Sequence, residues 1–380
     1  MRPDREAPSG LDPLDIEIEE RVPPAPRRSW LPRRHHALGL NPVTAPAVVY
    51  VPLGYLAGPA GLGLVSAPAL GYLDPVVSVA LAALGTLAGL AAGDILRHPR
   101  LAAVSAVEAG ATLLLVTGVV ASLLYAWGVA TALPPLLLAL CLGLGASPSS
   151  APALVVEHPA AKVADLDDLV PILGAVGLLA AIGPGPDAWL LLLATAAIGV
   201  SVGIVAALLL RDGQPPSERV VVVVGLLLLL GGAAAYAAVS PLAAGFAAGA
   251  WWRWRARDAG QVILADLRRL HHPLVVLFLI VAGATSVLST QALWLSAALV
   301  LSRLLGKLAG GWLGSRVAGG VAPAGFGLLL LPPGVFGLAV VLNAQQVLGP
   351  GAMTAALSAT AVSTVVFEVV GVAAPHEGEP

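Results

Sequence analysis

Very few residues of this chain could do chemistry, and they stand inside long apolar runs: Glu108, the acids Asp165, Asp167 and Asp168, the bases Arg303 and Lys307, and Glu368. An unpaired ionisable side chain in hydrocarbon costs about 2.5–3.5 kcal/mol on insertion scales, so each is expected to face a protein interior or a wet cavity. Carboxylates there can carry protons, pair with the two bases or hold a cation through their oxygens. Covalent and metal chemistry have less to draw on. Cys141 is the only cysteine and sits in an apolar run, which excludes an intramolecular disulfide framework and a cysteine zinc site. His271 and His272 precede Pro273 beside Arg268 and Arg269; with no third ligand at a suitable spacing they read as an interfacial surface. No serine, histidine or metal constellation appears, so neither an enzyme nor a cofactor is expected.

The elements that must position these groups follow from composition. Of 380 residues, 58% are apolar and 11% charged, against roughly 45–50% and 25% in soluble domains. A soluble 300-residue domain still exposes roughly a quarter of its unfolded chain's area, so lipid is the natural solvent here. The 22 acids and 20 bases nearly cancel, which leaves no basic footprint for nucleic acid. Residues 1–42 are acidic and Pro-rich, then basic, without the apolar core of a signal peptide, and are expected to form a disordered cytoplasmic tail. Apolar stretches follow at 43–62, 75–93, 101–126, 131–154, 165–184, 188–210, 219–236, 238–252, 272–289, 292–314, 320–343 and 351–373. Apart from the short eighth, they suit ~30 Å of hydrocarbon. An all-α polytopic membrane protein of about twelve transmembrane helices is expected over 43–374, with a short cytoplasmic tail at 375–380.

The basic residues alternate between loops. Arg27, Arg28, Arg33 and Arg34 precede the first span, Arg97 and Arg100 follow the second, and Lys162 follows the fourth. Arg211 and Arg219 separate the sixth and seventh, Arg253 to Arg269 the eighth and ninth, and Arg316 follows the tenth. The intervening loops carry only Asp74 and Asp187. Cytoplasmic loops collect Lys and Arg, so both termini are expected in the cytoplasm of a protein that crosses the cell membrane repeatedly. Glu108 lies eight residues beyond Arg100, Lys307 nine before Arg316 and Asp167 five beyond Lys162. At 1.5 Å per residue all three fall about 8–14 Å inward from the same side, which makes a shared site possible.

Two spans are interrupted, the fourth at GLGASPSSAP (143–152), with Ser147 and Pro148, and the eleventh at LPPGVFG (331–337), with Pro332, Pro333 and Gly334. Proline removes a donor and clashes with the preceding turn, so both should unwind partway across, which is tolerated only where protein or water satisfies the freed groups. Spans seven apart run in opposite directions. Spans three to five and ten to twelve therefore read as inverted repeats whose two broken helices cross beside the acids, as in many transporters.

Several stretches resemble the bacterial monovalent cation:proton antiporters. They are PLGYLAGPAGLGLVSAPAL (52–70), LGTLAGLAAGDILRHPRLAAV (84–104), the broken-helix segment ASPSSAPALVVE (146–157), the paired-acid segment LDDLVPILG (166–174), SPLAAGFAAGAW (240–251), SRLLGKLAGGWLGSR (302–316) and GFGLLLLPPGVFGLAVV (325–341). They keep the family's order over nearly all of 48–345. The resemblance implies that Asp168 binds the transported cation or proton with Asp167 as its neighbour, that Lys307 is the basic partner with Arg303 as the competing candidate, and that the protein is a homodimer. In that family an Asp-Asp pair is associated with electrogenic exchange and Asn-Asp with electroneutral exchange, so the resemblance implies electrogenic exchange here. Three departures stand out: one helix of the family before the first segment has no counterpart, only eighteen residues separate Pro148 from Asp167, and Ser147 replaces an acid often found in the broken helix.

On this reading a proton and a monovalent cation, Na+ first and K+ or Li+ as alternatives, compete for the Asp168 oxygens, and Lys307 balances the acid pair when no cation is bound. A cation channel or non-transporting sensor on the same fold would keep the breaks without that competition. Other roles stay open for single residues. Asp165 suits a helix N-cap, as do Asp167 and Asp168 if the fifth span starts late. Glu108 is either a structural bridge to Lys307 or Arg303 or a proton carrier. Arg303 is either a tie to freed carbonyls of the eleventh span or a direct participant. Glu368, near the end of its span, is expected to snorkel. Trp251, Trp252 and Trp254 are expected to anchor at the membrane interface.

Overall fold

The computed structural model describes residues 45–92, 98–128, 131, 133–150, 163–164, 166–182, 188–210, 215–317 and 326–373. The tails at 1–42 and 375–380, and Asp165, lie outside the described residues. The described elements are helices: α1 Pro46–Ala57, α2 Ala67–Gly71, α3 Asp74–Ala91, α4 Pro99–Ala126, α5 Pro135–Ala146, α6 Leu169–Ile182, α7 Ala188–Leu209, α8 Pro216–Tyr236, α9 Pro241–Arg255, α10 Arg257–Thr285, α11 Thr290–Val317, α12 Phe326–Leu329, α13 Val335–Leu348 and α14 Pro350–Ala373. All twelve expected spans contain a helix, the eleventh split between α12 and α13. Among the described residues, seven helices are long and apolar enough to cross a membrane, within α3, α4, α7, α8, α10, α11 and α14, and α1, α5, α6 and α13 contain shorter apolar ones. The chain is a multi-pass membrane protein.

Proline sets many of the starts. It occupies the first turn of α1, α2, α3, α4, α5, α8 and α9, where its fixed φ suits a helix and its missing N–H costs no bond. Two expectations are corrected. Hydropathy starts the ninth span at residue 272, yet α10 begins at Arg257 and runs through Pro273. Its first turns bury Ile263, Asp266 and Leu267 while Arg268, Arg269, His271 and His272 stay exposed, so packing on one face holds a helix that average hydropathy hides. Of the tryptophans, Trp254 is exposed, but Trp252 is buried and its Nε1 donates to the Gly203 carbonyl at 2.8 Å. A buried indole needs such a partner.

Small residues let backbones approach. Gly85 and Gly89 of α3 press on α9, and Gly245 and Gly249 of α9 press back. Between α4 and α11, Gly306 lies on Thr112, Gly314 on Val104, and a Cβ at Gly310 would come within 2.8 Å of the Glu108 carbonyl oxygen. α5 and α13 cross where Gly145 meets Gly337. Around this crossing α4, α5, α6, α11, α13 and α14, the members of the two expected repeats, pack on one another.

Candidate functional site

The two breaks lie side by side. α5 stops at Ala146, and residues 147–150 continue without helix, as do residues 330–334 between α12 and α13. The Ser150 amide donates to the Pro332 carbonyl at 2.9 Å, and its hydroxyl reaches the Pro333 carbonyl at 3.4 Å. Ending α5 in the interior frees its last carbonyls, which must find donors. α11 supplies cations. Arg303 donates to the carbonyls of Ala146, of Pro148 at 2.8 Å and of Leu331 at 3.3 Å, while Lys307 donates to that of Ser147 at 2.6 Å. Positive charge at a helix C-terminus also complements its dipole. The Arg303 guanidinium lies 5.4 Å from the centre of the Phe367 ring. Arg303 therefore ties carbonyls of both broken spans, the fourth as well as the eleventh.

Lys307 meets acids from two elements. Its Nζ is 2.9 Å from Glu108 Oε1 and 3.4 Å from Asp167 Oδ2. The close approach at Gly310 brings α4 near enough, and Thr112, one turn along, donates to Glu108 Oε1 at 3.1 Å. Ser149 receives Asp167: its amide donates to Oδ1 at 3.1 Å, its hydroxyl donates to Oδ2, and that hydroxyl accepts from Lys307 at 2.6 Å. Glu108, Asp167 and Lys307 are fully buried and Arg303 is 1% exposed. Charges so far from water persist only when paired and hydrogen-bonded, and here two acids face two bases. Asp168 is also buried and stands directly before α6, the Ile172 amide donating to its carbonyl at 3.3 Å.

The candidate residues Glu108, Ser147, Pro148, Asp167, Arg303 and Lys307 thus converge, with Pro332, Pro333 and Gly334 across the crossing and Asp168 adjoining along the chain. Ser149 and Thr112 escaped the sequence reading. Their only signals are a hydroxyl just past a helix break and one four residues beyond a buried acid. One expectation is corrected: Glu368 does not snorkel. Its Oε2 accepts from the amides of Ala47 at 2.7 Å and Val48 at 3.3 Å. Ala45, the residue before α1, has no side chain to cap that helix, so a carboxylate from α14 satisfies its orphan amides and dipole. Chemically, the crossing offers carboxylate and carbonyl oxygens, ligands for a hard cation or acceptors of a proton, beside two fixed bases.

The fold is similar to that of a solved antiporter. The sodium proton antiporter MjNhaP1 from Methanocaldococcus jannaschii matches with a TM-score of 0.63 and 15% sequence identity, over 86% of this chain and 92% of that chain. No protein-family model and no curated protein matches the sequence. The likeness establishes a shared fold, the one that the motif order implied.

Proposed function

We propose that the protein exchanges a monovalent cation, with Na+ as the first candidate, for protons across the cell membrane by alternating access, both termini lying in the cytoplasm. The observation that carries this reading is the buried set Glu108, Asp167, Arg303 and Lys307 gathered where two broken helices cross, in a fold similar to that of a sodium proton antiporter. Asp168, with Asp167 beside it, holds either a proton or a cation. The same carboxylate oxygens serve both, so one occupant excludes the other, and carbonyls freed at the breaks complete the cation's oxygen shell. Any titration belongs to the coupled pair and not to one residue. Lys307 balances the pair when no cation is bound. α4–α6 and α11–α14 carry the site past the remaining helices, and the Asp-Asp pair favours electrogenic exchange.

The test is reconstitution in vesicles with a preset pH gradient, followed by addition of Na+, K+ and Li+ in turn. The expected result is proton movement with at least one cation, lost in Asp168→Asn. No cation-dependent proton movement in the wild type would overturn the proposal.

A further inference from the structure

Lys307 has more acceptors than one carboxylate would supply. An ammonium has three N–H donors and accepts nothing. Around Nζ stand the Ser147 carbonyl oxygen at 2.6 Å, the Ser149 hydroxyl oxygen at 2.6 Å and the Glu108 carboxylate at 2.9 and 3.1 Å, whereas Asp167 Oδ2 is the farthest at 3.4 Å. The three nearest groups can engage all three donors before Asp167 is counted. Asp167 in turn is held by Ser149, through amide and hydroxyl. Glu108 is fully buried, braced by Thr112, and seated at the glycine contact that joins α4 to α11.

We propose that Glu108 is a positioning residue that draws Lys307 away from Asp167 and thereby sets how readily the acid pair accepts a cation. The inference rests on the exchange reading and deepens it. A cation entering at Asp167 and Asp168 competes with the Lys307 ammonium for carboxylate oxygen. A second carboxylate on Lys307, nearer to Nζ than Asp167 is, weakens that competition, and it gives the ammonium a partner once Asp167 turns to the cation, which spares the cost of an uncompensated buried charge. Removing the Glu108 charge lets Lys307 close on Asp167 and makes the crossing more positive. Both effects weaken cation binding.

The experiment is a calorimetric titration of the purified full-length protein with NaCl, KCl and LiCl, with choline chloride as the control. Glu108→Gln keeps the shape and an acceptor for Thr112. Its dissociation constant should rise about tenfold, since contacting residues couple by energies of this order, and in vesicles KM should rise with the maximal rate retained. In a Lys307→Gln background the same change should have a much smaller effect, because Glu108 acts through Lys307. Glu108→Asp, which retracts the carboxylate but keeps its charge, should fall between wild type and Glu108→Gln, and it carries the test if the amide does not fold. An unchanged affinity in the folded Glu108 variants, or an equal change in both backgrounds, would overturn the inference. A wild type that binds no cation and moves no protons would instead defeat the exchange reading, and this inference with it.

Discussion

Two helix pairs in this protein are joined by the same device and serve different ends. α3 and α9 meet through Gly85, Gly89, Gly245 and Gly249, and α4 and α11 meet through Gly306, Gly310 and Gly314. At the first seam Thr86 turns its hydroxyl onto its own helix, donating to the Ala82 carbonyl at 2.8 Å. At the second, Glu108 and Lys307 face each other across the glycines, fully buried. Close packing fixes positions in both pairs but selects chemistry in neither. The second seam becomes the candidate site because α5 ends beside it. The Ala146, Ser147 and Pro148 carbonyls need donors that α11 provides, and the chain beyond Pro148 presents Ser149 to Asp167.

That contrast can be broken in graded ways. Lys307→Ala leaves two buried acids without their base and should cost about 3–5 kcal/mol, measured by thermal or denaturant unfolding in detergent. Thr86→Ala at the quiet seam should cost no more than about 1 kcal/mol, the net value of an ordinary hydrogen bond. Equal losses would mean that the charged seam is held by packing alone. Gly245→Val and Gly310→Val each force a side chain against a partner backbone, so both should destabilise by at least about 1–3 kcal/mol. Only Gly310→Val should also change cation binding, because it moves Glu108. Ser149→Ala removes the hydroxyl between Lys307 and Asp167 and should cost about 1–3 kcal/mol while altering the response to cations. Glu368→Gln, outside both seams, weakens a helix cap and should cost about 1 kcal/mol, with cation affinity unchanged.

How much of this was legible depends on whether the cause is local. Apolar length marks a membrane helix directly, so the twelve stretches were readable, and Pro148 in one span and the Pro332–Pro333 pair in the other marked the breaks. Counting residues inward from Arg100 and Arg316 placed Glu108 and Lys307 at similar depth. That they are partners follows from α11 lying on α4 at Gly306, Gly310 and Gly314, a tertiary fact that small-residue spacing hints at without naming the partner helix. Ser149 was not legible because its role depends on the direction the chain takes after Pro148. Glu368 failed for another reason: its partners are the amides of Ala47 and Val48, 321 and 320 residues away, and sequence patterns mark capping acceptors only when they stand next to the helix they cap. α10 was cut short because Pro273 and the neighbouring charges outweighed, in a linear reading, the apolar face formed by Ile263 and Leu267.

On the exchange reading, a proton and a cation exclude one another at the Asp167–Asp168 pair. The most direct measurement is the cation dissociation constant of the purified protein across a series of pH values. Exclusive occupancy predicts that binding weakens as pH falls through the titration of the pair, approaching about tenfold per pH unit when one proton competes with one cation, and that binding is lost in Asp168→Asn. An affinity independent of pH in the wild type, or a pH dependence that survives Asp168→Asn, would contradict it.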